Sequence, residues 1–305
     1  MIEVEDLTKR FGSVTAVDSV SFTVAPGRVT GFLGPNGAGK STTMRMILGL
    51  DRATAGSARV NGKPFRQARS PLTELGAMLE GKAVDKGRSA RNHLRAIGAT
   101  IGVGRRRVDE VLEMVGLEDV AGKAAGGFSL GMGQRLGIAT ALLGDPQVVM
   151  LDEPVNGLDP DGIQWIRGLL KSLAAEGRTV FVSSHLMSEV EMTADHLIVI
   201  GRGRILADIS MEGFIQQSSQ HRVTVVSPDV ARLGQLLDRP GVVINADDAG
   251  GLHLEGIEAR EVGEVAAANG IVLHQLVDVV PSLEAVFMEL TSDSVVFHGT
   301  TKVAS

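Results

Sequence analysis

Nine consecutive residues, GPNGAGKST from Gly34 to Thr42, combine three glycines with a lysine and two hydroxyls. The spacing Gly34-x4-Gly39-Lys40-Ser41 is that of a phosphate-binding loop. Glycines let successive backbone N–H groups converge on one phosphate, and a following helix adds the positive end of its dipole. Lys40 is spaced to reach the β- and γ-phosphates of ATP, and the Ser41 hydroxyl to ligate Mg2+. The candidate nucleotide-binding set is therefore Gly34, Pro35, Asn36, Gly37, Ala38, Gly39, Lys40, Ser41 and Thr42. An ordinary glycine turn is the plainer reading. The apolar run VTGFL before it and the helix-like TTMRMILGL after it argue against that reading.

A second stretch, VVMLDEP from Val148 to Pro154, is an apolar strand ending in two acids. Asp152, at the strand tip, would hold Mg2+, and Glu153 would face the γ-phosphate and polarise an attacking water. Acids are common at strand ends, so the pair carries weight only beside the glycine loop. Together they imply phosphoryl transfer to water.

The elements that must position these residues alternate. Strand-like IEVEDL, AVDSVSFTV and RVTGFLG come first, with Pro26-Gly27 as a turn, and SARVNG follows the loop helix. Residues from about 71 to 144 read mostly as helices, after which strand and helix alternate through VVMLDEP, TVFVSSH and HLIVIGRGRILA. The expected fold class is α/β: a P-loop ATPase core with a largely parallel sheet, an antiparallel β subdomain and an inserted helical subdomain. From about His221 the pattern becomes β-α-β-β-α-β, a ferredoxin-like α+β order. The expected domains are thus 1–215 and 221–290, with a linker at Gln216 to Gln220 and a loose tail over 291–305.

Composition narrows the class. The formal charge is −6 and the pI near 5.7, so no nucleic-acid partner is expected. Arg105-Arg106-Arg107 reads as a solvated helix start. With no cysteine there is no disulfide or thiolate metal site. MIEVEDLTKRFG lacks the apolar core of a signal peptide, and no apolar run reaches the roughly 18 residues of a membrane span.

Between the two phosphate motifs, FSLGMGQRLGIATALLGDP, Phe128 to Pro146, resembles the signature segment of ATP-binding-cassette (ABC) ATPases. Ser129, Gly131 and Gln134-Arg135 match it; Leu130 and Met132 replace its first glycine and its glutamine. NGLDP, Asn156 to Pro160, resembles the D-loop, and His185 after TVFVS stands where the family has its switch histidine. Phe11 stands where the family stacks an aromatic on adenine. In order, these motifs cover about Glu3 to Asp208. The resemblance implies that Ser129 and Gly131 cap the ATP of an opposing protomer, that Asp159 meets that protomer, and that His185 acts beside Glu153. It also makes LGAMLEG the strand at whose end the family usually has a glutamine near Mg2+ and the attacking water, and places Glu80 there. That acid, the SLGM signature and the ending PSLEAVFMEL resemble one branch, bacterial drug and antibiotic exporters.

The resemblance implies the ATP-hydrolysing subunit of an ABC transporter. It would pair with a second copy or a similar ATPase and dock on a separate integral-membrane permease, in the cytoplasm and peripheral at the inner face of the cell membrane. Its cargo would be a drug, peptide or lipid. The alternative is a soluble or regulatory ABC-type ATPase. A ribosome-acting cassette would carry two motif sets, and a DNA-repair cassette a coiled coil or zinc insertion between Lys40 and Ser129; neither is present.

Overall fold

The computed structural model describes residues 1–79, 84–218, 222–246, 251–279 and 282–291. They divide into two compact units, one of Met1–Met211 with the chain from Leu290 onward, the other Glu212–Glu289. The chain begins with β1 (Ile2–Phe11), β2 (Val14–Val24), β3 (Val29–Leu33), α1 (Lys40–Ile47) and β4 (Ala55–Val60). A short α2 (Pro71–Glu74), β5 (Leu75–Met78), α3 (Ala90–Thr100), α4 (Arg105–Met114) and α5 (Leu130–Leu142) come next. The unit then runs through β6 (Val148–Asp152), α6 (Pro160–Ala175), β7 (Thr179–Ser184), α7 (Met187–Glu191), β8 (His196–Gly201) and β9 (Arg204–Ser210).

Two sheets result. The central one has the order β5-β6-β7-β3-β8-β9, parallel throughout except for the β8–β9 hairpin at one edge. The smaller one, β2-β1-β4, is antiparallel. Strands β3, β6 and β7 are buried at every residue, as expected of parallel strands covered on both faces. Phe22, Phe32 and Phe181 pack across the core with ring centroids 5.2 to 5.8 Å apart. Truncating any one of them to alanine would cost about 3–5 kcal/mol.

The expected strand in LGAMLEG is present over Leu75–Met78, paired with β6 in the central sheet, ahead of the helices of the helical block. Gly76 allows α5 to press onto this strand: a Cβ there would lie 1.8 Å from the Ala141 carbonyl oxygen. The block's own helices are α3, α4 and α5. Gln216 and Gln217, at the start of the expected linker, belong to α8 (Met211–Ser218). Met211 and Phe214 anchor this helix, both buried at a spacing of three residues.

The second unit holds β10 (Arg222–Val226), α9 (Val230–Leu237), β11 (Val243–Ala246), β12 (Gly251–Glu255), α10 (Ala259–Ala268) and β13 (Gln275–Val279). Its sheet order, β11-β12-β10-β13 and antiparallel throughout, is that of a ferredoxin-like fold. Val223, Val225, Leu233, Leu237, Leu252, Leu254 and Val262 form its own core. The chain's last described element, α11 (Leu283–Thr291), takes in the first residue of the expected tail; residues 292–305 lie outside the described set.

Candidate functional site

The glycine loop joins β3 to α1. Gly34 leaves the buried strand where a Cβ would lie 2.3 Å from the Ile200 carbonyl oxygen. Gly37 and Gly39 have φ of 81° and 108°, values that exclude most other residues. Asn36 and Gly37 form an exposed tip, while Ala38 is buried. Helix α1 starts from Gly39 with no side-chain cap, so its first-turn amides, including that of Thr42, remain for an anion.

Lys40 is 6% exposed. Its Nζ donates to the carbonyl oxygens of Gly34 at 2.6 Å and Pro35 at 3.4 Å, and lies 3.5 Å from Glu153 Oε1. Burial lowers the ammonium's pKa from its ordinary value, and the charges of Glu153 and Asp152 oppose that shift. The Ser41 hydroxyl donates to Asp152 Oδ2 at 2.6 Å. Two hard oxygen donors thus stand together beside the phosphate loop, a partial set suited to Mg2+, which takes its remaining ligands from phosphate and water. Among the described residues no group of three or more His, Asp or Glu could hold a metal alone.

Glu153 follows β6 in a left-handed conformation, φ 49°. Non-glycine residues reach this region at a cost of roughly 1–3 kcal/mol, so the surroundings must hold it. They do: its N–H donates to Ser183 Oγ at 3.0 Å, and its carbonyl accepts from Gln134 Nε2 at 3.1 Å and from the Asn156 N–H at 3.2 Å. Ser183, fully buried on β7 opposite Asp152, also donates to Asp152 Oδ1. Two residues further on, His185 Nδ1 lies 2.8 Å from Glu153 Oε2. The Glu153 carboxylate therefore bridges Lys40 and His185. Lys40, Ser41, Asp152, Glu153 and His185 form one connected cluster.

The other candidates lie elsewhere. Ser129 is the N-cap of α5, its hydroxyl accepting from the Met132 N–H at 3.2 Å, and it is exposed. Gly131 faces the D-loop turn, where a Cβ would sit 3.0 Å from the Gly157 carbonyl oxygen, and Leu130 covers Gly157. Asp159 is exposed and caps α6, accepting from the Gly162 N–H at 2.9 Å. Phe11 ends β1 as a 53% exposed ring, with Lys9 Nζ 4.8 Å from its centroid. Glu80 lies outside the described residues.

Two further residues hold the Glu153 backbone: Ser183, which no motif includes, and Gln134, which matches the signature segment without an assigned role. Each carries a visible signal: a hydroxyl closing the apolar strand TVFVS, and a buried amide on the apolar face of α5.

A family profile described as ABC transporter matches residues 17–156, and one described as a domain of unknown function matches 221–284. The bacitracin transport ATP-binding protein of Bacillus licheniformis is 36% identical over 296 residues, 95% of this chain and 97% of that protein. The lantibiotic transport ATP-binding protein of Streptococcus pyogenes is 38% identical over 70% of this chain and 92% of its own. Among solved structures, a dimeric bacterial ABC transporter cassette matches with a TM-score of 0.64 and 26% identity, over 69% of this chain and 99% of that one. Near-full-length identity to such a relative, on this fold and with this cluster, makes the chain a member of the ABC transporter family, among its ATP-binding proteins.

Proposed function

We propose that the chain hydrolyses ATP at a site shared between two ATP-binding subunits and couples their closing and reopening to export through a separate membrane permease. The carrying observation is the Glu153 carboxylate, held between Lys40 at 3.5 Å and His185 at 2.8 Å beside the glycine loop. Lys40 and the loop amides would hold the β- and γ-phosphates, and Phe11 would stack on adenine. Ser41 and Asp152 would hold Mg2+, which when bound offsets the charge developing on the phosphate oxygens. Glu153 would take a proton from the attacking water, and His185 would fix the carboxylate and contact the γ-phosphate.

Ser129, Gly131 and Asp159 share no hydrogen bond with the glycine loop among the described residues, and Ser129 and Asp159 are exposed. This supports the reading that they act on the nucleotide of a partner. The dimeric cassette among the similar structures supports it too. No described helix is long and apolar enough to cross a membrane, which suits attachment through a permease at the inner face. Relatives named for bacitracin and lantibiotic transport support export of a drug, peptide or lipid. The direct test is Glu153→Gln. Turnover should fall about 10²–10⁴-fold while ATP binding is kept; unchanged turnover would remove Glu153 from the chemistry.

A further inference from the structure

We propose that Gln134 is a positioning residue for hydrolysis: it sets the backbone of Glu153 and makes that setting depend on where the signature helix α5 stands. The inference rests on the reading of Glu153 as the group that activates water. The two peptide planes flanking the Glu153 Cα are held by different elements. Ser183 of β7 fixes the one carrying the Glu153 N–H, and Gln134 of α5 fixes the one carrying its carbonyl. Fixing both planes fixes φ and ψ, and hence the direction in which the carboxylate leaves the backbone toward Lys40 and His185.

Merely satisfying a buried carbonyl does not explain Gln134. The Glu153 oxygen already accepts from the Asn156 N–H at 3.2 Å, within its own turn. Gln134 is 6% exposed, on the side of the helix it shares with the buried Ile138, Ala141 and Leu142. An amide placed there adds a link between α5 and the Glu153 peptide. Gln134 lies five positions beyond Ser129 at the helix N-cap, about 7.5 Å along one element. That helix is braced as a unit: Arg135 donates to the Val115 carbonyl at 2.9 Å and stacks 4.2 Å over Trp165 of α6. A hydrogen bond of 3.1 Å has little slack. Movement of α5 when Ser129 meets a partner's nucleotide would therefore be felt at the Glu153 carbonyl of its own subunit.

The test uses Gln134→Leu and Gln134→Met in the full-length chain, with ATP turnover, thermal melting and, in a Glu153→Gln background, ATP-dependent dimerisation all measured. A misdirected carboxylate should lower kcat about 10–100-fold. KM for ATP, melting temperature and ATP-dependent dimerisation should stay close to those of the parent. A kcat within about twofold of the parent would overturn the proposal. So would a kcat loss matched by loss of the dimer or of the fold in both variants, since that is what a packing role gives. Glu153→Gln alone serves as the control. If it retains full turnover, the reading of Glu153 has failed, and this is separable from a failure of Gln134.

Discussion

The P-loop and the signature segment are both glycine-bearing turns that open a helix, yet they are finished differently. In the P-loop, Gly37 and Gly39 adopt left-handed backbone and α1 begins without a side-chain cap, so its amides converge on a concave nest. In the signature, no glycine is left-handed, and Ser129 closes its own helix by accepting from the Met132 N–H. The first geometry can enclose a phosphate; the second can only cover one presented from outside. The contrast extends to burial. Lys40 and Asp152 are buried within a connected network, whereas Ser129 and Leu130 face solvent. On the proposed function, the chain carries one half of a site finished and the other half to be completed by a second subunit.

Adding a methyl group at the two turns should break this contrast most sharply. A Cβ at Gly39 would lie 2.7 Å from the Ala16 carbonyl oxygen, on a backbone with φ 108°. Gly39→Ala should cost about 2–3 kcal/mol of stability and weaken ATP binding, read by urea unfolding and nucleotide titration. At Gly131 the nearest atom is 3.0 Å away, and φ is not left-handed. Gly131→Ala should cost less than about 1 kcal/mol and leave ATP affinity of the isolated chain unchanged, while turnover falls. Equal effects at the two glycines would erase the distinction between an enclosing and a covering loop.

Smaller effects sharpen it. Ser129→Ala removes the α5 cap and should destabilise by about 1 kcal/mol, again without changing ATP affinity of the isolated chain. The smallest is a pH effect within the helical block. His93 is buried on α3, and burial, followed by the nearby charge of Arg88, lowers its pKa from the ordinary value. The native state then binds a proton less readily than the unfolded chain. His93 contributes fully above the ordinary histidine pKa of about 6.5, and stability falls as pH drops below it toward the lowered native value. His93→Gln should flatten unfolding free energy over that acid window and leave the pH 8 value nearly unchanged, as urea titrations at several pH values would show.

Much of this was legible before any coordinates. Lys40, Ser41, Asp152, Glu153 and His185 stand at the ends of apolar strands or in a spaced glycine loop, so chemistry and position are written in the same residues. The alternation of strands and helices gave the parallel sheet, and the β-α-β-β-α-β order gave the ferredoxin-like unit. Gln134 is legible only as a match to the signature and Ser183 only as a strand-end hydroxyl; their hydrogen bonds to the Glu153 backbone are not, because a bond to a peptide group leaves no motif of its own. The strand at Leu75–Met78 is legible only through the family resemblance, and the close helix crossing that Gly76 serves shows only in the packing. Helix α8 was missed because the polar residues at its end outweighed the buried pair Met211 and Phe214.

The most direct test of the shared site is sedimentation of the Glu153→Gln protein with and without Mg2+ and ATP, beside the same protein carrying Ser129→Arg. The account predicts that both bind ATP, that the first shifts from monomer to dimer only when ATP is present, and that the second stays monomeric. A dimer that forms equally well with Arg at position 129, or a first protein that stays monomeric with ATP bound, would contradict it.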